Sequence, residues 1–194
     1  MTVNQYRFIS LGLSVLLSGC SLMQAKQVSA PRPAQYDSAP FAMNGRISIK
    51  HQGKRDSAGL RWTHQAQSDE MLLLNPLGQT AARIFSNTQG DAKIATLDNG
   101  EKHYQDIDAE SLMEQVLGWH LPLNGLHHWV LGVANPETSA QIERDDTGRI
   151  TVLHQSGWEV RYLKYADGLP ARLQLSHQDL QVILLIDEWD WDLH

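Results

Sequence analysis

The sequence predicts a mainly β domain with a little helix: a curved antiparallel sheet forming an incomplete, half-open barrel, covered by two short helices. Three observations predict it. From residue 41 onward apolar and polar residues alternate with a period of two, stretch after stretch. The stretches are separated by short turns built on Gly, Asn and Asp, so consecutive strands can pair as a meander. The rhythm is interrupted once, near residues 108–132, by apolar residues at helical spacing.

The first strand is expected at 41–50, with Phe41, Met43, Gly45, Ile47 and Ile49 on one face and Arg46, Ser48 and Lys50 on the other. Ala58, Leu60 and Trp62 then alternate with Arg61 and Thr63, and further strands are expected at 70–74, 80–86 and 92–97. Asn99-Gly100 is a hairpin turn into 102–106. Asp108 is placed to cap a helix whose face carries Leu112, Met113, Val116 and Leu117, and Gly118 stops it. A second helix is expected at 124–131, with Leu126, Trp129 and Val130 as its apolar side and Gly132 ending it. Strands resume at 141–144, 149–155, 158–165, 171–177 and 181–189. Because a sheet of this many strands must curl or close, the helices fall over its open side. Their apolar faces fit either a solid core, which the pattern alone favours, or a lid over a cavity. The six Trp residues tilt toward the cavity, since large flat rings can line a greasy space.

Ahead of the sheet, the basic Arg7 is followed by the apolar run 8–17 and then by Ser18-Gly19-Cys20, the layout of a secretory signal. The run is shorter than the roughly 20 residues a membrane-spanning helix needs. Leu17-Ser18-Gly19-Cys20 resembles the lipobox of bacterial lipoproteins. That resemblance implies removal of 1–19, diacylglycerol on the Cys20 sulfur and a third acyl chain on the new amino group. Ser21 is not the Asp that in enterobacterial lipoproteins marks retention in the inner membrane, so the periplasmic face of the outer membrane is expected. Residues 20–40 read as the lipidated N-terminus and a Ser-, Ala-, Gln- and Pro-containing tether, and 41–194 as one periplasmic domain.

Cys20 is the only cysteine among 194 residues, which excludes disulfides within the chain and thiolate metal sites. A net charge of −6 argues against nucleic acid as a partner. Enzymatic constellations are weak. His127 and His128 are adjacent, whereas a helical zinc pair needs a spacing of four with a Glu between, so they read as surface or capping residues. Asp187, Glu188, Asp190 and Asp192 lack the glycine and spacing of a calcium loop and read as a solvated tail. No Gly-x-Ser-x-Gly elbow is present. The sharpest local feature is the segment 71–78, where a continuous apolar strand runs into a turn, Asn75-Pro76-Leu77-Gly78, that carries a Leu at its tip. Turn tips are normally polar, so Leu77 either tucks back against the core or projects toward something apolar.

Several segments, taken in order, resemble the LolB family of outer-membrane lipoprotein receptors. They are Asn44-Gly45-Arg46-Ile47, Leu60-Arg61-Trp62, Leu74-Asn75-Pro76-Leu77-Gly78, Leu117-Gly118-Trp119 with Leu121-Pro122-Leu123, His128-Trp129-Val130-Leu131-Gly132, and Gln155-Ser156-Gly157-Trp158 with Val160 and Tyr162. The resemblance implies a half-open barrel closed by helices around a hydrophobic cavity. It also implies a membrane-insertion loop at Pro76, Leu77 and Gly78. The implied activity is acceptance of triacylated lipoproteins from a LolA-type periplasmic carrier and their release into the inner leaflet of the outer membrane. No cofactor is implied, and a monomer is expected. On this reading Leu60, Trp62, Leu73, Phe85, Leu112, Val116, Trp129 and Trp158 are the residues chosen to line the acyl-chain cavity. The competing expectation from another class is a structural outer-membrane lipoprotein that scaffolds an envelope assembly.

Overall fold

A computed structural model of the chain describes residues 39–193 apart from Asp91. The signal segment, Cys20 and the tether lie outside the described residues. Six strands come first: β1 (Phe41–His51), β2 (Lys54–Gln65), β3 (Ser68–Leu74), β4 (Thr80–Gln89), β5 (Ala92–Asp98) and β6 (His103–Asp106). Two helices follow, α1 (Ala109–Leu117) and α2 (Leu123–Val130). The chain then forms β7 (Ala140–Arg144), β8 (Ile150–Gln155), β9 (Trp158–Ala166), β10 (Leu169–His177) and β11 (Leu180–Asp190). The strands make one antiparallel sheet of eleven, in the order β6-β5-β4-β3-β2-β1-β11-β10-β9-β8-β7, an open sheet rather than a closed barrel.

This order is two meanders joined where the first strand pairs with the last. Nine residue pairs, from Ala42 with Asp190 to Lys50 with Gln181, make that seam. The two edge strands, β6 and β7, are consecutive in the chain, so the segment between them must cross the whole width of the sheet. It crosses as α1 and α2, with α1 packed on β4, β5 and β6 and α2 reaching β10. Sheet and helices share one continuous core cluster that includes Met43, Leu60, Trp62, Met71, Leu112, Trp129, Leu153 and Leu173.

The local determinants act as the sequence predicts. Asp108 caps α1 with its carboxylate, accepting from Ser111 N (3.0 Å) and Glu110 N (3.4 Å), and Gly118 ends the helix at φ 78°. Burial pushes the Asp108 carboxyl up, but the hydrogen bonds from Ser111 and Glu110 and the charge of Lys93 outweigh it and hold the pKa below the usual 3.8. Several strands run further than expected, β10 and β2 among them. β10 starts at Leu169 because Asp167 and Gly168, at φ 51° and 80°, complete the turn by themselves, and Pro170 sits beside a register shift. β2 starts at Lys54 for the same reason, with Gln52 and Gly53 at φ 49° and 77°.

Gly45 marks the one irregularity in the seam, a register shift between Asn44 and Gly45. A Cβ added there would overlap the Leu185 backbone carbonyl. Gly45→Ala is therefore expected to push β11 away from β1 and lower unfolding stability by about 2–4 kcal/mol in denaturant titration. An unchanged midpoint would mean that the seam tolerates a wider spacing.

Candidate functional site

The loop between β3 and β4 is held from within. The Asn75 side-chain oxygen accepts from Leu77 N (2.9 Å) and Gln79 N (3.0 Å), and its Nδ2 donates to Gln79 Oε1 (3.1 Å). Asn75 also exchanges backbone bonds, donating to Gln79 O and accepting from Gly78 N, each at 2.9 Å. Gly78, at φ 79°, supplies the left-handed step that closes the turn. On the turn braced in this way, Leu77 is 83% exposed and does not tuck back against the core. Pro76 borders a shallow cleft of about 260 Å³ on the sheet, lined also by Gly59, Leu74 and Leu185.

Of the residues chosen from the sequence to line the interior, Leu60, Trp62, Leu73, Leu112, Trp129 and Trp158 belong to the buried cluster between sheet and helices. Val116 is half-buried against it. Phe85 is a correction. In β4 it is Ala82 and Ile84 that face the core, which puts Phe85 on the opposite face, where the Arg83 guanidinium lies 5.7 Å above its ring and is held there by Glu70 (2.6 Å). Apolar residues occupy both parities of this strand, and pairing of Met71 with Ile84 decides between them.

Helix α2 spans the two halves of the sheet and is fastened differently to each. On the β8 and β9 side, Gln155, only 3% exposed, uses all its side-chain capacity. Its Oε1 accepts from Trp129 Nε1 (2.8 Å) and Asn135 N (2.9 Å), and its Nε2 donates to Asn135 O (2.8 Å) and Thr138 O (2.9 Å). The Tyr162 hydroxyl donates to Trp129 O (3.0 Å). Burial, with a smaller contribution from Tyr165, pushes the Tyr162 phenol well above its ordinary range, so it stays a neutral donor. Gly125 makes the arrangement possible, since a Cβ there would lie 2.6 Å from the Trp129 ring.

On the β2 side the contact is between rings. His127 stacks on His64 with centroids 4.6 Å apart and planes at 11°. His64 Nδ1 bonds Asp69 Oδ1 (2.8 Å), which also accepts from Trp62 Nε1 (2.8 Å). His127 Nδ1 donates to Leu123 O (3.1 Å). Burial and the adjacent His64 hold the His127 pKa below 6.5, against the opposing effects of the Leu123 carbonyl, Asp69 and Glu137. The expectation that His127 and His128 are surface or capping residues is thus corrected: His128 is buried, and His127 is pressed between α2 and the sheet. An eight-residue helix lying across a sheet has little free face.

The same end of the molecule carries an apolar lip. Ile107 is 73% exposed and Ile94 41%, and together with Ala92 and Gln105 they line an open cleft of about 790 Å³. A smaller recess of about 160 Å³ shares Ile94 and Ile107 and continues to His64, Asp69 and Leu123, with polar side chains such as Ser68, Asn87 and Glu110 making up most of its wall. Since β3 runs from the turn at 66–67 to the loop at 75–79, this lip and Leu77 lie at opposite ends of the same strands. Sequence reading missed the Gln155 hub and the His64–His127 stack. Gln155 did leave a signal, as a polar residue at the same parity as the buried Leu153.

The open antiparallel sheet with helices across its inner face is a fold shared with a LolA superfamily protein from Nitrosomonas europaea, at a TM-score of 0.51 and 10% identity over 82% of this chain and 90% of that one. The family described as "Outer membrane lipoprotein LolB" matches residues 39–189, and the chain belongs to the LolB family. It is 36% identical to the outer-membrane lipoprotein LolB of Nitrosomonas europaea, over 92% of this chain and 90% of the relative. To that of Chromobacterium violaceum it is 32% identical, over 94% and 98% respectively.

Gln155→Leu would strand the Trp129 indole N–H and the Asn135 backbone in a dry interior. It is expected to lower stability by about 2–4 kcal/mol and to raise amide exchange in α2 more than in β1. Equal exchange in both elements would argue against a local hub.

Proposed function

We propose that this chain is an outer-membrane receptor that takes triacylated lipoproteins from a LolA-type periplasmic carrier and inserts them into the inner leaflet. The observation that carries the reading is Leu77, displayed on a self-braced loop of a LolB-family fold. A Leu so exposed in water gains free energy on entering an apolar phase, by about 2 kcal/mol if fully buried. Lipidation of Cys20 would keep a bilayer within reach: the twenty residues between Cys20 and Phe41 extend to at most about 70 Å. Leu77 lies several strand residues from Phe41, on the order of 20 Å.

The physical need for a receptor is that three acyl chains contain on the order of 40 methylenes. At about 0.8 kcal/mol each, releasing them through water would cost tens of kcal/mol. Passing them between two apolar interiors avoids that state, and tighter binding by the receptor gives the transfer a direction without a nucleotide. In the conformation described, Leu60, Trp62 and Leu73 of the sheet and Leu112 and Trp129 of the helices fill the interior against one another. Acceptance of a chain therefore requires α1 or α2 to lift and these side chains to exchange neighbours. Helices that lie outside the backbone ladder of a sheet can do this while every strand pair stays intact, although α2 must then pivot about or give up its side-chain bonds to Gln155 and Tyr162. Leu77 then acts at delivery.

Two measurements test the reading. A soluble form beginning after Cys20, mixed with carrier loaded with a labelled lipoprotein, is expected to take the label; retention on a carrier that serves an authentic receptor would sink the proposal and favour the scaffold. Leu77→Glu is expected to keep the fold and the acceptance of cargo while reducing insertion into liposomes at least tenfold, since a carboxylate opposes burial in the bilayer. Unfolding of that variant would instead show that the loop supports the core.

A further inference from the structure

We propose that the stacked pair His64–His127 is an acid-sensitive latch that holds α2 on the first half of the sheet, and that protonation of His127 releases that side of the helix and widens the recess beneath it. The proposal goes beyond the receptor reading and, where it speaks of cargo, rests on it.

The argument starts from the asymmetry of α2. Its β8 and β9 side is tied by the Gln155, Trp129 and Tyr162 hydrogen bonds, none of which involves a group that titrates near neutral pH. Its β2 side rests on two imidazole rings face to face at 4.6 Å. In the neutral His127 ring, Nδ1 carries the proton donated to Leu123 O, so Nε2 is the atom that takes up a second one. A proton there puts a cation flat against the ring of the buried His64, on a side chain that is itself partly buried. The groups facing His127 are His64 from β2, Asp69 from β3, Glu137 from the segment after α2, and His128 from α2 itself, whose ring centroid is 4.0 Å away. The two carboxylates favour the cation, whereas burial and His64 oppose it, and the opposition prevails.

The direction of the switch follows. The latched state binds this proton less well than a histidine in water does, so latching is at full strength above the ordinary value of 6.5 and weakens as pH falls below it. His64, Asp69 and Leu123, which meet at the latch, also line the recess that runs out to the exposed Ile94 and Ile107. Release therefore opens the interior at the apolar lip, at the end of the strands remote from Leu77. On the receptor reading, acid speeds admission of acyl chains there, and neutral pH closes the helix over them.

Hydrogen exchange followed by mass spectrometry on the wild-type domain tests the latch, with rates corrected for the pH dependence of intrinsic exchange. Protection of residues 123–130 is expected to fall between pH 7.5 and pH 5.5 by several-fold, bounded by about tenfold per pH unit for one proton, while β1 and β11 keep theirs. His127→Gln keeps a side chain able to donate to Leu123 O but cannot charge, and its α2 protection is expected not to change with pH. Unchanged wild-type protection, or an identical acid response in His127→Gln, would overturn the latch, and the wild-type comparison decides even if that variant does not fold. Transfer of labelled lipoprotein from the loaded carrier, run at both pH values, separates the two proposals. Transfer that ignores both pH and His127→Gln removes the gate and leaves the receptor, whereas no transfer at either pH, with α2 still loosening in acid, removes the receptor and leaves the latch.

Discussion

Pairing of the first strand with the last is the constraint on which the rest of this molecule depends. Without the β1–β11 seam the chain would be two separate meanders, each with an unsatisfied strand edge and half an apolar face. With it, they become one sheet whose outer edges, β6 and β7, are neighbours in sequence and far apart in space. The connection has to travel back across the inner face, and it buries its own apolar side by doing so. The position of the helices is thus a consequence of strand order as much as of helix propensity. Gly45 is where the seam is tightest, because β1 approaches the β11 backbone there more closely than any side chain would allow.

The crossing segment combines two kinds of attachment that respond to different conditions. Buried hydrogen bonds between neutral groups, as around Gln155, are costly to break and indifferent to pH. Stacked imidazoles are held by contact and dispersion, and their mutual tolerance depends on charge. A helix fastened in one way at each side has a natural hinge and a natural opening edge. The hinge lies where Trp129 is clasped by β8 and β9, and the opening edge where His127 meets β2.

The molecule also separates its two apolar displays. Ile94 and Ile107 stand at one end of the strands, beside the recess under α2, and Leu77 stands at the other. The loop carrying Leu77 is braced by the Asn75 side chain and backbone, which holds the backbone beneath the exposed side chain in a defined turn. Phe85, by contrast, is a large apolar group on the outer face that is not displayed, because Arg83 covers its ring. Leu77, at 83%, is the most exposed of the large apolar side chains among the described residues, ahead of Ile107 at 73% and Leu163 at 49%.

Sequence alone determined the elements. All eleven strands and both helices were legible, because period-two alternation, turn glycines and the Asp108 and Gly118 caps are local properties encoded by neighbouring residues. It determined the family too, through short segments whose order along the chain is preserved. The face of β4, the exposure of Leu77, the hub at Gln155 and the stack of His127 on His64 were decided only by tertiary structure. Each depends on which residues, if any, other segments bring against it. Phe85 and Ile84 are both apolar, and pairing with Met71 chooses between them; His64 and His127 are sixty-three positions apart in the chain and meet only because β6 and β7 lie on opposite edges. Local pattern specifies what a segment will be, while contact between segments, set by register and crossing, specifies what its side chains can do.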